Sequence, residues 1–155
     1  MDDDLLNRIR GTVRTVPDFP IEGIMFRDIT PVLGESGLLS SITDRFAEDL
    51  QKLGWEPEAI GGPEARGFIF GPLLAERLGC GFVPVRKPGK LPSSTRTAEY
   101  SLEYGSNTLE IHDDAIQPGQ RIVIIDDLLA TGGTISACTS PVSYTHLTLP
   151  TKRIV

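Results

Sequence analysis

The chain has 155 residues, 39% of them hydrophobic and 23% charged, the profile of one soluble globular domain long enough to bury a real core. Its net charge of −6 argues against a broad nucleic-acid surface, because such binding rests on neutralising phosphates with Lys and Arg, but it leaves room for a local basic site for a small anion. The first residues are acidic where a secretory signal would be basic, and no apolar run is long enough to cross a bilayer, so we expect a cytoplasmic protein without a membrane partner.

Leu5, Ile9 and Val13 recur every four residues and predict a short amphipathic helix ending before Pro17. Pro17 to Pro31 carries three prolines and a glycine, which predicts an irregular segment with one short strand. A stronger helix follows, with Leu38, Ile42, Phe46, Leu50 and Leu53 on one face and Gly54 as its stop. Glu58 to Gly62 reads as a strand entering a loop at Pro63 to Arg66, and a second helix over Phe68 to Leu78 ends at Gly79. Cys80 and Cys138 form no CxxC pair and read as free thiols; with only His112 and His146 present, neither a zinc site nor a histidine-rich metal site is expected.

Phe82 to Val85 reads as a strand, followed by the basic loop RKPGK and a polar stretch to Arg96. Tyr100, Leu102 and Tyr104, then Leu109 and Ile111, alternate about Gly105-Ser106-Asn107, a hairpin pattern. Arg121 to Asp127, RIVIIDD, is apolar without alternation, as in a parallel strand covered on both faces. Strands alternating with helices define an α/β fold.

Chemistry concentrates in Ile122 to Thr134, IVIIDDLLATGGT. A buried strand ends in two acids, then a small-residue loop, then a helix start. Ligands of open α/β sheets bind beyond the carboxyl ends of the strands. Gly132 and Gly133 allow backbone N–H groups to approach an anion, Thr131 and Thr134 add hydroxyl donors, and the helix N-terminus adds its dipole. Asp126 and Asp127 are acceptors suited to polyol hydroxyls or to a metal-bound one. Either pair alone reads as a solvated or plain turn; together, at a buried strand's end, they favour a functional site, the loop suiting a phosphate monoester. There is no GxGxxG and no GxxxxGK[ST], so neither a dinucleotide fold nor a P-loop is indicated.

This run resembles the 5-phosphoribosyl-1-pyrophosphate (PRPP) motif of type I phosphoribosyltransferases. PDFPIEGIMFRDITP (Pro17 to Pro31), GPEARGFIFGP (Gly62 to Pro72), RKPGKLP (Arg86 to Pro92) and EYSLEYG (Glu99 to Gly105) resemble the adenine-specific members of that family, in the same order. The resemblance implies a mainly parallel central sheet flanked by helices, a small N-terminal hood over about residues 1–33, and a mobile hairpin loop. It implies that Ala130, Thr131, Gly132, Gly133 and Thr134 cradle the 5-phosphate and that Asp126 and Asp127 bind the ribose hydroxyls. Arg66, beside the backbone of Glu64 and Ala65, would hold pyrophosphate. A cation at a helix start is mildly unfavourable, which adds weight to an anion ligand there. Arg86, Lys87 and Lys90 would capture the pyrophosphate leaving group, Lys as point charge and Arg as fork.

Met25, Phe26 and Arg27 match the family's base pocket, with Phe26 stacking on the purine; from sequence alone, core packing is the plainer role for Phe26. Glu103 would manage the purine proton, and Tyr104 lies with it in the loop that folds over the site. By the same resemblance Mg²⁺ is the cofactor, held mainly by PRPP oxygens with no dedicated protein cage, the substrates are adenine and PRPP, the products AMP and pyrophosphate, and the enzyme is a homodimer with Arg86 near its interface. The alternatives are a phosphoribosyltransferase for another nucleobase, a non-catalytic PRPP-binding regulatory module, and an inactive fragment.

After Cys138 the resemblance stops. Pro141 interrupts the expected helix after about two turns, and SPVSYTHLTLPTKRIV has no family pattern. We therefore expect a phosphoribosyltransferase domain over residues 1–138, with C-terminal core elements missing. Residues 139–155 would be a tail outside the family, non-native in origin, with stability below that of a full-length relative.

Overall fold

The computed structural model describes residues 3–101, 106–128 and 138; expectations for residues 102–105, 129–137 and 139–155 lie outside the described residues. The chain divides into two compact units, Met1–Lys52 and Leu53–Val155.

In the first unit, helix α1 (Asp3–Thr12) is followed by strand β1 (Arg14–Val16), strand β2 (Phe26–Asp28), helix α2 (Thr30–Gly34) and helix α3 (Leu38–Lys52). The first helix stops one residue short of Val13, where the β-branched run Thr12, Val13, Thr15 and Val16 favours extended backbone. Strands β1 and β2 form an antiparallel ribbon, Arg14 opposite Asp28 and Val16 opposite Phe26. Helix α2 was not anticipated, because its proline reads as a breaker. Pro31 instead sits in the first turn, where a missing N–H costs nothing, and the Asp28 carboxylate accepts the Thr30 N–H at 2.9 Å. Val32, Leu38, Ile42 and Leu50 form the buried apolar face. Leu53, expected on that face, lies past the helix end and is exposed. Glu35 ties α1 down, accepting from Thr12 Oγ1 at 2.9 Å and Arg8 Nε at 2.5 Å.

The second unit holds strand β3 (Ala59–Pro63), helix α4 (Gly67–Leu78), strand β4 (Gly81–Val85), the hairpin strands β5 (Thr95–Ser101) and β6 (Ser106–His112), and strand β7 (Ile122–Ile124). The parallel sheet has the order β4-β3-β7. Helix α4 buries Phe70, Leu74 and Ala75, a one-face spacing. It ends at Gly79, whose φ of 67° is the left-handed value that glycine adopts without a Cβ penalty. The Cys80 N–H then reaches back to the Ala75 carbonyl at 3.0 Å, satisfying an end group of the helix. Leu109 and Ile111 of β6 join Ala59, Val83, Val85 and Cys138 in the core, with Ile122 and Ile124 packed against it.

Two sequence expectations shift. Ser106 and Asn107 belong to strand β6, pairing with Ser101 and Tyr100, so they are not part of the expected turn. Small polar residues favour turns, but register is fixed where Leu109 and Ile111 are buried. The ladder of β7 is shorter than Arg121 to Asp127 and half-buried, because among the described residues it borders the sheet with β3 as its one neighbour. Among the described residues, no helix is long and apolar enough to cross a membrane.

Candidate active site at the carboxyl end of the parallel sheet

Three adjacent parallel strands deliver charged groups to one edge. Strand β7 leads into Asp126 and Asp127, β3 into Glu64 and Arg66, and β4 into Arg86, Lys87 and Lys90. The ladder continues past the strand ends: Ile125 N–H donates to the Gly61 carbonyl at 2.9 Å, and Glu64 N–H to the Val85 carbonyl at 2.9 Å. These bonds hold the Glu64–Arg66 loop between its neighbours.

Close backbone approach sets the spacing. A Cβ on Gly67 would lie 2.7 Å from the Pro63 ring and 3.0 Å from the Ile125 carbonyl oxygen, and one on Gly62 would lie 2.7 Å from the Gly67 carbonyl oxygen. Only glycine lets the start of α4 sit this tightly against the end of β7. The Glu64–Ala65 peptide bond is cis.

The result is a guanidinium against a carboxylate. Arg66 Nε lies 3.0 Å from Asp127 Oδ2, with the Asp127 side chain 5% exposed and that of Arg66 42% exposed. The other oxygen, Asp127 Oδ1, is buried without a hydrogen-bond partner among the described residues. Asp126 Oδ1 accepts the Asp127 N–H at 2.9 Å. Burial, with the Asp127 carboxylate next to it, pushes the Asp126 carboxyl up to about 6. Among the described residues one cation thus faces two acids, which leaves acceptor capacity for hydroxyl donors.

On the other side of β3 the network is closed. Glu64 accepts from the Lys87 N–H at 2.8 Å and from Arg86 Nε at 3.0 Å, with Arg86 Nη2 at 2.9 Å. The Lys87 N–H, then the Arg86 guanidinium, hold the Glu64 carboxyl below the ordinary carboxylate range. Arg86 Nη1 donates to the Lys90 carbonyl at 3.0 Å. Arg86 and Glu110 exchange backbone hydrogen bonds at 2.9 and 2.7 Å, and the Glu110 carboxylate accepts the Gly89 N–H at 3.1 Å. Lys87 and Lys90 are exposed.

Of the residues expected at the site, the structure brings Arg66 together with Asp127, and Glu64 together with Arg86, Lys87 and Lys90. Ala65 is exposed. Met25, Phe26 and Arg27 belong to the first unit. There Met25 is exposed, the Phe26 ring meets Phe19 edge-on at 5.1 Å between centroids, and Arg27 donates to Thr15 Oγ1. Glu103, Tyr104, Ala130, Thr131, Gly132, Gly133 and Thr134 lie outside the described residues. Sequence reasoning missed Glu110. Its place between the buried Leu109 and Ile111 marks only an outward-facing strand residue, and its partners lie in another loop.

Residues 35–140 match the phosphoribosyl transferase domain family, and the chain belongs to that family. A curated relative from Francisella tularensis subsp. holarctica, an adenine phosphoribosyltransferase, is 51% identical over 141 residues, 91% of this chain and 81% of the relative. The crystal structure of adenine phosphoribosyltransferase from Thermoanaerobacter pseudethanolicus superimposes with a TM-score of 0.86 at 54% identity, covering 90% of this chain and 80% of that one. The Saccharomyces cerevisiae enzyme, complexed with an imino-altritol bisphosphate and adenine, superimposes with a TM-score of 0.87 at 40% identity, covering 92% and 82%.

Proposed function

We propose that this chain transfers ribose 5-phosphate from PRPP to adenine, releasing AMP and pyrophosphate, a purine-salvage reaction. The carrying observation is the open charge arrangement beyond the parallel strands: an arginine 3.0 Å from a carboxylate that keeps one buried oxygen unpartnered among the described residues. It offers a fork for a polyphosphate and acceptors for sugar hydroxyls, in a chain of the phosphoribosyltransferase family. Adenine as the base follows from the yeast relative's bound adenine.

In this reading Asp126 and Asp127 accept the ribose hydroxyls, and Ala130 to Thr134 hold the 5-phosphate. Arg66, with the backbone of Glu64 and Ala65, meets the pyrophosphate, and Arg86, Lys87 and Lys90 add positive charge as it leaves. Met25, Phe26 and Arg27 contact the base, Glu103 takes its proton, and Tyr104 closes with the loop. A base nitrogen forms a bond to C1 of the ribose as the bond from C1 to the pyrophosphate oxygen breaks. Cations placed where that negative charge develops lower the barrier most, while base and sugar held in line supply proximity. A closed loop keeps water from the reactive sugar.

Magnesium, carried mainly on PRPP oxygens, would neutralise charge on the departing pyrophosphate. The Asp126 and Asp127 carboxylates, one oxygen of which is buried and unpartnered among the described residues, are hard oxygen donors that fit such an ion. We further propose a cytoplasmic homodimer, with residues 1–138 as the phosphoribosyltransferase domain and 139–155 as a tail beyond it. The family match ends nearby, at residue 140.

The test is chromatographic detection of AMP from adenine, PRPP and Mg²⁺, with hypoxanthine and guanine in parallel. Adenine-dependent product is expected. Product with another base alone would move the specificity, and PRPP binding without any product would make the chain a sensor or an inactive fragment.

A further inference from the structure

Arg66 and Asp127 hold each other at a point where, on the reading above, each has a different part of PRPP to bind. We propose that Asp127 is the positioning residue of Arg66. It stores the guanidinium in the free enzyme and releases it to the pyrophosphate when the ribose hydroxyls take over the carboxylate. This rests on the proposed roles of Asp127 toward ribose and Arg66 toward pyrophosphate.

Three observations carry it. The pair is in direct contact, Nε to Oδ2 at 3.0 Å, so ligand and arginine draw on the same negative charge. The carboxylate is the fixed end at 5% exposure, and the arginine, at 42%, is the end with room to swing. Asp127 Oδ1 is buried with no hydrogen-bond partner among the described residues, so it is an unmet acceptor that gains a bond from a hydroxyl once it is uncovered. A hydroxyl on Oδ1 weakens the hold on Arg66 by sharing the charge; a hydroxyl on Oδ2 replaces it. The neighbouring Glu64–Arg86 pair lacks this property, because Glu64 receives Lys87 N–H on one oxygen and the Arg86 guanidinium on the other.

The consequence is a coupling between the two halves of the substrate site. Pyrophosphate alone competes with Asp127 for the charge of the Arg66 guanidinium, whereas with the ribose half bound that competition is relieved. Such coupling is reciprocal, so each ligand tightens the other by the same factor.

The test is titration of inorganic pyrophosphate at fixed magnesium into the wild type and the Asp127→Asn, Arg66→Ala and double variants. Asp127→Asn is expected to tighten pyrophosphate by roughly three- to tenfold, the range of a partly exposed ion pair. That gain should vanish in the Arg66→Ala background, as a double-mutant cycle requires for a direct pair. A gain that persists without Arg66 is a general charge effect and overturns the proposal. Unchanged or weaker pyrophosphate binding by Asp127→Asn, with Arg66→Ala still weakening it, overturns the proposal and leaves the site reading standing. No effect of Arg66→Ala on pyrophosphate removes the site assignment, and the proposal with it. A measurement that needs no variant runs alongside: saturating ribose 5-phosphate should tighten pyrophosphate binding to the wild type, and no tightening counts against the proposal.

Discussion

Two arginine–carboxylate pairs flank the end of β3, and they differ in how fully they are satisfied. Glu64 and Arg86 form a closed set: both carboxylate oxygens are occupied, and the guanidinium spends its remaining reach on the Lys90 carbonyl. Asp127 and Arg66 form an open one, with one carboxylate oxygen unpartnered among the described residues and a second acid, Asp126, held up to about 6 beside it. A closed network fixes a loop without help from a ligand. An open network carries an unmet desolvation cost that a ligand can meet. On the reading proposed above, Glu64 is scaffold for the loop that carries Arg86, Lys87 and Lys90, whereas Asp127 at the same sheet edge meets the substrate.

The largest expected effect falls on the open pair. Arg66→Ala should lower kcat/KM for PRPP by about 10²–10³-fold, the scale of removing one charged donor from a developing anion. Arg66→Lys should recover only part of this, since a point charge does not replace a fork. Steady-state kinetics with varied PRPP would decide, and a change under about threefold would move Arg66 into the scaffold class.

The closed pair should matter less. Glu64→Ala frees Arg86 and the Lys87 N–H, and is expected to cost about tenfold in kcat/KM, chiefly through KM, as a positioning contribution would. If Glu64→Ala equals Arg66→Ala in size, the distinction between scaffold and site collapses.

Protonation sharpens the contrast further. The Asp126 carboxyl lies above its ordinary value, so as pH falls through about 6 it takes a proton and, on the proposed reading, loses an acceptor for the ribose. KM for PRPP should rise across that window, by up to about tenfold per pH unit below it for a single essential carboxylate. Asp126→Asn should show a higher KM without that limb. Stability runs the other way: a raised folded-state value means that Asp126 favours the fold most below about 3.8 and loses that contribution as pH rises through about 6. Glu64, whose value is lowered, should place no limb on the profile near 6.

The smallest effect on activity is expected away from both pairs. A Cβ on Gly71 would lie 2.2 Å from Phe82 Cε2, so Gly71→Ala should cost about 1–3 kcal/mol of stability by overpacking. Its kcat/KM at low temperature should stay within about twofold, because surface and core changes away from the site act through stability. Thermal unfolding beside kinetics separates the two.

Much of the fold was legible because its signals are local. The apolar spacing of Leu38, Ile42 and Leu50 and the stop at Gly79 follow from periodicity and glycine chemistry. The alternation of Leu109 and Ile111 located β6, but it could not place the turn, because Ser106 and Asn107 are turn-formers that register pulled into the strand. Asp126 and Asp127 were legible as paired acids at a strand end, and Arg66 and the basic loop through the family resemblance. Their division was not, because which carboxylate each arginine meets depends on the order β4-β3-β7 and on the glycine contacts at Gly62 and Gly67. Glu110 carried no signal at all, since an outward strand residue looks the same whether it faces water or a neighbouring loop.

The most direct test of the open pair as the ribose site is a comparison of AMP with 2′,3′-dideoxy-AMP by titration calorimetry, since both lack the pyrophosphate that Arg66 would bind. The wild type should prefer AMP by about tenfold or more, as expected when charged acceptors lose their donors, and Asp126→Asn/Asp127→Asn should bind the two alike. Equal affinity of the wild type for both nucleotides would contradict the assignment of Asp126 and Asp127 to the ribose.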